Sequence, residues 1–77
     1  MNNHIKNFLE NNIFIEHNNK IIDEILIEVD KSINNGNTKY FNLIINQYKN
    51  KIKPEYLNNV INELTKYVEE QIIELSI

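Results

Sequence analysis

Hydrophobic residues recur every three or four positions in the last third of the chain, where the pattern is strongest. The members are Leu57, Ile61, Leu64, Val68, Ile72 and Leu75. At about 100° per residue they form one narrow stripe, which is typical of an amphipathic helix. Val60 and Tyr67 widen the stripe on one side, and Pro54 suits a first helical turn. The pattern therefore predicts a helix over about 54–76, in which a charge at Ile61 would unfold the protein.

Two earlier segments repeat the same spacing. The segment predicted as a helix over about 38–52 has Phe41, Ile44, Ile45, Tyr48 and Ile52 on its apolar face. The segment predicted over about 19–35 has Ile22, Ile25, Leu26, Val29 and Ile33. Polar residues that favour helix starts precede both segments, namely Asn37 or Thr38 and Asn18 or Asn19. Gly36 stands where a left-handed C-terminal cap is expected.

The first eighteen residues leave two alternatives open. Ile5, Phe8 and Leu9 suit a short helix, and Ile13-Phe14-Ile15 either extends that helix or forms an apolar plug across the bundle. An antiparallel hairpin of strands is rejected, because strict alternation of apolar and polar residues does not occur. The sequence thus predicts an all-α protein, a small antiparallel helical bundle with three main helices in a single domain over 1–77.

Composition narrows the class of protein further. The chain has no Cys, so neither disulfides nor thiolate metal sites stabilise it. Its net charge of −3 makes nucleic acid an unlikely partner. A membrane span needs about twenty apolar residues, and the apolar runs here are only three residues long, such as Leu43-Ile44-Ile45. We therefore expect no membrane span and a cytoplasmic location.

Side chains with catalytic or ligating chemistry are sparse. His4 and His17 lack the spacing of metal ligands. Two acidic pairs share helix faces, Glu24 with Glu28 and Glu63 with Glu70, but no Glu-x-x-His accompanies them. The single Gly excludes a glycine-rich phosphate loop. We expect no catalytic residue, no cofactor, no metal and no enzymatic activity.

Lys49, Lys51 and Lys53 form a basic cluster near Tyr48 and Tyr56. Cations at the end of a helix complement its dipole, which explains the cluster without any ligand. The alternative is a basic patch that contacts phosphates or an acidic partner.

Three large aliphatic residues lie off the apolar stripes, one on each main helix. They are Ile27, Leu43 and Ile73, and Tyr40 lies on a flank. Single exposed apolar residues are common, but one on each main helix in so short a chain suggests a second contact surface. These four residues are the candidate partner-binding residues.

These observations predict a non-enzymatic protein-interaction module, such as a small adaptor, inhibitor or regulator, which binds another protein or itself through a helix face. A small nucleic-acid-associated regulator that uses Lys49, Lys51 and Lys53 is the alternative. About half the chain also resembles small helical bacteriocin immunity proteins, in its helix spacing and its Lys53-Pro54 junction. That resemblance implies a self-protection role, although those proteins are usually longer and more basic.

Overall fold

The computed structural model describes residues 3–76 and confirms the all-α bundle. Its helices are α1 (Asn3–Glu10), α2 (Asn19–Asn35), α3 (Lys39–Tyr48) and α4 (Leu57–Ser76). Two single 3₁₀ turns, Lys49–Lys51 and Pro54–Tyr56, connect α3 to α4. The segment that was ambiguous in sequence therefore begins with a short helix, α1, which buries Ile5 and Leu9.

α2 packs on every other helix and most extensively on α3. Two contacts show that α2 and α3 run antiparallel. The Phe41 backbone N–H donates to Ser32 Oγ beside the turn, and the Tyr48 hydroxyl donates to Glu24 at the far end. Gly36, at φ 70°, ends α2 in the left-handed conformation that its lack of a Cβ permits. The predicted Gly36 cap is confirmed.

Both predicted helix starts use asparagine side chains. Asn18 Oδ1 accepts from the Ile21 N–H at 3.1 Å at the start of α2. Asn37 Oδ1 accepts from the Lys39 N–H at 3.0 Å at the start of α3. Thr38 stands at the N-cap position of α3 but makes no side-chain cap bond, so that Asn37 is the one of the two predicted residues whose side chain caps α3.

Ser32 supplies a cap that local sequence does not reveal. Its hydroxyl is fully buried and accepts from the Phe41 N–H at 3.2 Å. The first N–H groups of a helix have no partner within the helix. A residue of α2 therefore satisfies part of the α3 N-terminus, and this bond fixes how the two helices meet.

Ser32→Ala is expected to lower the free energy of unfolding by about 1–2 kcal/mol, because the buried Phe41 N–H loses this acceptor. Thr38→Ala is the matched control and is expected to cost only a few tenths of a kcal/mol, since that side chain caps nothing. Urea unfolding followed by circular dichroism measures both. Equal losses in the two variants would contradict the capping role of Ser32.

The segment after α1 lies against the α3–α4 connection. Ile13 and Phe14 are buried, and Phe14 pairs with Ile52 in an antiparallel bridge. The Ile15 N–H donates to the Lys51 carbonyl, and the Lys53 N–H donates to the Ile13 carbonyl, each at 2.9 Å. The apolar-plug alternative is therefore correct for Ile13 and Phe14, but Ile15 points outward and is 59% exposed.

α3 is shorter than the sequence predicts. The predicted helix over 38–52 is α-helical only over Lys39–Tyr48, and Ile52 is extended, with φ −93° and ψ 139°. The bridge to Phe14 holds Ile52 in that conformation. Lys53 is also extended, as expected of a residue that precedes proline.

The buried stripe of α4 is rotated from the predicted one. Val60, Leu64 and Val68 are completely buried, whereas Ile61 is only half-buried and Leu75 is 70% exposed. Val60 therefore belongs to the centre of the stripe, and the prediction that Leu75 lies in the core is wrong. From residue 69 to 75 no residue is fully buried, and Ile72 is half-buried and packs against the edge of the core.

Candidate protein-binding groove

An open groove of about 470 Å³ lies between α3 and the first turns of α4. We call it the α3–α4 groove. Its apolar lining consists of Leu43, Ile45, Leu57 and Ile61. Its polar lining consists of Lys39, Asn42, Asn46 and Lys49. The groove therefore offers an apolar surface with amide and ammonium groups beside it.

The groove arises from the way α3 and α4 each face the core. α3 turns Phe41 and Ile45 inward against α2, which leaves Leu43 on the outer side. α4 turns Val60 inward, which leaves Ile61 half-buried on its flank. α3 packs extensively on α2 but makes only a small contact with α4. The outer flanks of α3 and α4 therefore stay open to a ligand.

The charge of the groove is opposite to that of the whole chain. The lining includes Lys39 and Lys49 and no carboxylate, although the net charge of the chain is −3. A ligand with acidic side chains is therefore favoured at this surface over a basic one.

The structure separates the four candidate partner-binding residues. Leu43 lies in the α3–α4 groove, but Ile27 lies in a different depression with Ile44, between α2 and α3. Ile73 lines neither of these two surfaces, and Tyr40 is half-buried. The exposure of Ile27, Leu43 and Ile73, at 56%, 63% and 61%, is confirmed. These three residues therefore do not form one continuous surface.

Two groove residues, Leu57 and Ile61, were assigned to the core by sequence reasoning. The sequence signal that could have indicated their partial exposure is the width of the apolar stripe of α4, which Val60 and Tyr67 extend to one side. A stripe wider than one neighbour can cover leaves an edge exposed.

The three lysines of the basic cluster also lie in different surroundings. Lys49 lines the α3–α4 groove, whereas Lys51 lines a depression beside Ile15 and Asn18. Lys53 is half-buried, and its backbone is tied to Ile13. Lys49 and Lys51 therefore face different surfaces rather than one continuous patch.

The first of the two acidic pairs, Glu24 with Glu28, has structural partners. Glu28 pairs with Lys31 at 3.3 Å, and Glu24 accepts a hydrogen bond from the Tyr48 hydroxyl at 2.5 Å. Glu63 lies near His4 in a shallow depression at the α1–α4 contact. Within residues 3–76, no group of three histidine or acidic side chains is placed to hold a metal ion.

The hydrogen bond to Glu24 raises the pKa of Tyr48 above its ordinary value of 10.0, and burial and the charge of Glu24 raise it further. Because the folded pKa exceeds the unfolded one, the stabilisation is complete below about pH 10. It is lost as pH rises through the folded pKa. Glu24→Gln is expected to lower the pKa of Tyr48, measured by NMR of ¹³C-labelled tyrosine rings. If the pKa of Tyr48 is unchanged in Glu24→Gln, then the hydrogen bond to Glu24 is not the cause of the raised pKa.

Comparisons with known proteins leave the groove to be interpreted from its own geometry. No protein-family model matches the chain, and neither does any curated protein or solved structure. Among the helices of residues 3–76, none combines the length and the apolar character needed to cross a membrane.

Proposed function

We propose that this protein is a non-enzymatic interaction module that binds an amphipathic helix of a protein partner in the α3–α4 groove. The observation that carries the proposal is the apolar lining of Leu43, Leu57 and Ile61 beside Lys39 and Lys49. Helix-in-groove recognition uses this combination of an apolar trough and charged margins.

The shape of the groove favours a helix over an extended peptide. Its two walls are helices, and a third helix packs between two others by inserting its side chains between theirs. An extended peptide gains affinity from hydrogen bonds to an open sheet edge, and a wall of helices provides no such edge. We therefore expect a ligand with apolar residues at helical spacing and acidic residues beside them.

The chemistry of the lining supports binding rather than catalysis. The groove contains no histidine, carboxylate or hydroxyl side chain. General acid–base catalysis and nucleophilic catalysis both depend on such groups. The two lysines of the lining, Lys39 and Lys49, are both exposed at its margins.

A displayed library of amphipathic helical peptides tests the proposal. Peptides selected on the wild-type protein are expected to carry apolar residues at i, i+3 or i+4, and i+7, with acidic flanks. Leu43→Asp should abolish their binding. Ile27→Asp is the matched control, because Ile27 is an aliphatic residue of similar size and exposure that lies outside the groove. This variant should bind the peptides as the wild type does. Selected peptides that bind both variants equally would defeat the proposal, as would a library that yields no binder.

The other two functions find less support in the arrangement of the residues. A nucleic-acid-associated regulator needs a continuous basic patch, and Lys49 and Lys51 line different depressions. For a role like that of bacteriocin immunity proteins, we find no feature of the groove that favours it. Both functions stay predictions from the sequence.

A further inference from the structure

The last residue of α2 and its C-terminal cap are Asn35 and Gly36, and both are exposed. Gly36 is the only glycine of the chain, so Asn35 is the only asparagine that a glycine follows. The backbone nitrogen after an asparagine can attack the carbon of the asparagine side-chain amide. Glycine permits this attack best, because it has no Cβ to crowd the approach and its backbone is the least restricted.

The reaction joins the Gly36 nitrogen to Asn35 Cγ and closes a succinimide ring. The Gly36 amide proton passes to a solvent base, and the nitrogen of the Asn35 side chain leaves as ammonia. Water then opens the ring at either of its two carbonyl carbons. One product is aspartate, and the other is isoaspartate, in which the main chain runs through the former side chain.

The folded conformation holds the two reacting atoms apart. Side chains of a helix point towards its N-terminus, whereas the Gly36 nitrogen follows Asn35 on the C-terminal side. Asn35 Nδ2 donates to the Lys31 carbonyl at 2.8 Å, which fixes the amide in the first direction. The Gly36 N–H donates to the Ile33 carbonyl at 3.2 Å, so its proton is less accessible to a base. The attack therefore requires the last turn of α2 to open.

We propose that Asn35 is a site of spontaneous deamidation and that the last turn of α2 gates the reaction. Helix ends open at a lower free-energy cost than the core of a domain does. The folded protein therefore reacts slowly, through the fraction of molecules in which this turn is open. The proposal is independent of the α3–α4 groove, so neither result decides the other.

The products weaken the connection between α2 and α3. Both products place a negative charge at the C-terminus of α2, where the helix dipole disfavours anions. Isoaspartate also adds one carbon to the main chain directly before Gly36. That carbon displaces the N–H groups of Gly36 and Asn37 from the carbonyls of Ile33 and Ser32, to which they donate. Deamidation is therefore a one-way change that disrupts the Gly36 cap.

Incubation of the full chain at mildly alkaline pH, followed by proteolysis and tandem mass spectrometry, measures the reaction and locates the modified residue. The chain unfolded in urea is expected to deamidate at Asn35 at least about tenfold faster than the folded chain, because unfolding opens the last turn in every molecule. Asn34 is the internal control. It is also exposed at the end of α2, but Asn35 follows it, so it should react far more slowly.

Gly36→Asn tests the role of the glycine. A side chain at position 36 crowds the attacking nitrogen, so deamidation of Asn35 in urea should slow severalfold or more. Because this comparison is made with unfolded chains, it does not depend on whether the variant folds. An unchanged rate would overturn the assignment of the site, as would an Asn34 that reacts as fast as Asn35.

The effect on the fold is measured on the deamidated chain, which ion exchange separates by its extra negative charge. Its urea midpoint should lie below that of the unmodified chain. Asn35→Asp is the matched variant, since it carries the charge without the added main-chain carbon, and its midpoint should fall between the two. Equal reaction rates in the folded and unfolded chains would overturn the gating by α2. A deamidated chain as stable as the unmodified one would overturn the disruption of the cap.

Discussion

Leu64→Asp is expected to unfold the protein. Leu64 is completely buried in the middle of α4 between Val60 and Val68, and an unpaired carboxylate there costs several kcal/mol. A domain of this size has a core that supplies only about 3–5 kcal/mol of stability. Far-UV circular dichroism of the purified variant should show the loss of most helical signal, with no cooperative urea transition.

Ile61→Asp is the matched control for Leu64→Asp. The sequence placed Ile61 in the core and predicted that a charge there unfolds the chain. Ile61 is instead half-buried in the α3–α4 groove, so its carboxylate can reach water. We now expect this variant to stay folded and to lose about 1–2 kcal/mol of stability. If both substitutions unfold the protein, or if neither does, the result would contradict the burial of Leu64 and the partial exposure of Ile61 in the structure.

Phe14→Ala is expected to lower the free energy of unfolding by about 3 kcal/mol or more, the usual cost of removing a buried phenyl ring. Phe14 is buried, and its backbone pairs with Ile52 at the α3–α4 connection. The lost packing therefore loosens the junction between the first segment of the chain and the last helix. Urea denaturation monitored by circular dichroism gives the value.

Ile15→Ala is the neighbouring control for Phe14→Ala. Ile15 is 59% exposed, so its truncation is expected to change the stability by less than about 0.5 kcal/mol. Similar losses for the two variants would mean that residues 13–15 do not pack as the bridge between Phe14 and Ile52 implies.

The candidate site was only partly predictable from the sequence. The exposure of Leu43 followed from its position off the α3 stripe, because local periodicity reports which side of a helix is apolar. The grouping of Leu43 with Leu57 and Ile61 did not follow. It depends on the lateral position of α3 beside α4, which residues far apart in the chain determine. For the same reason, Ile27 and Leu43 looked alike in sequence and line different surfaces.

The sequence by itself determined the helical class, the approximate positions of the three main helices, the Gly36 cap and the extended conformation of Lys53. Each of these depends on side-chain periodicity or backbone preference within a few residues, so neighbours along the chain suffice to specify it. Only the tertiary structure decided that Ser32 caps α3 and that Ile52 leaves the helix to pair with Phe14. It also decided that Val60 rather than Leu75 lies in the core. These features depend on which helix lies against which, because burial and long-range hydrogen bonds override local propensity when they compete.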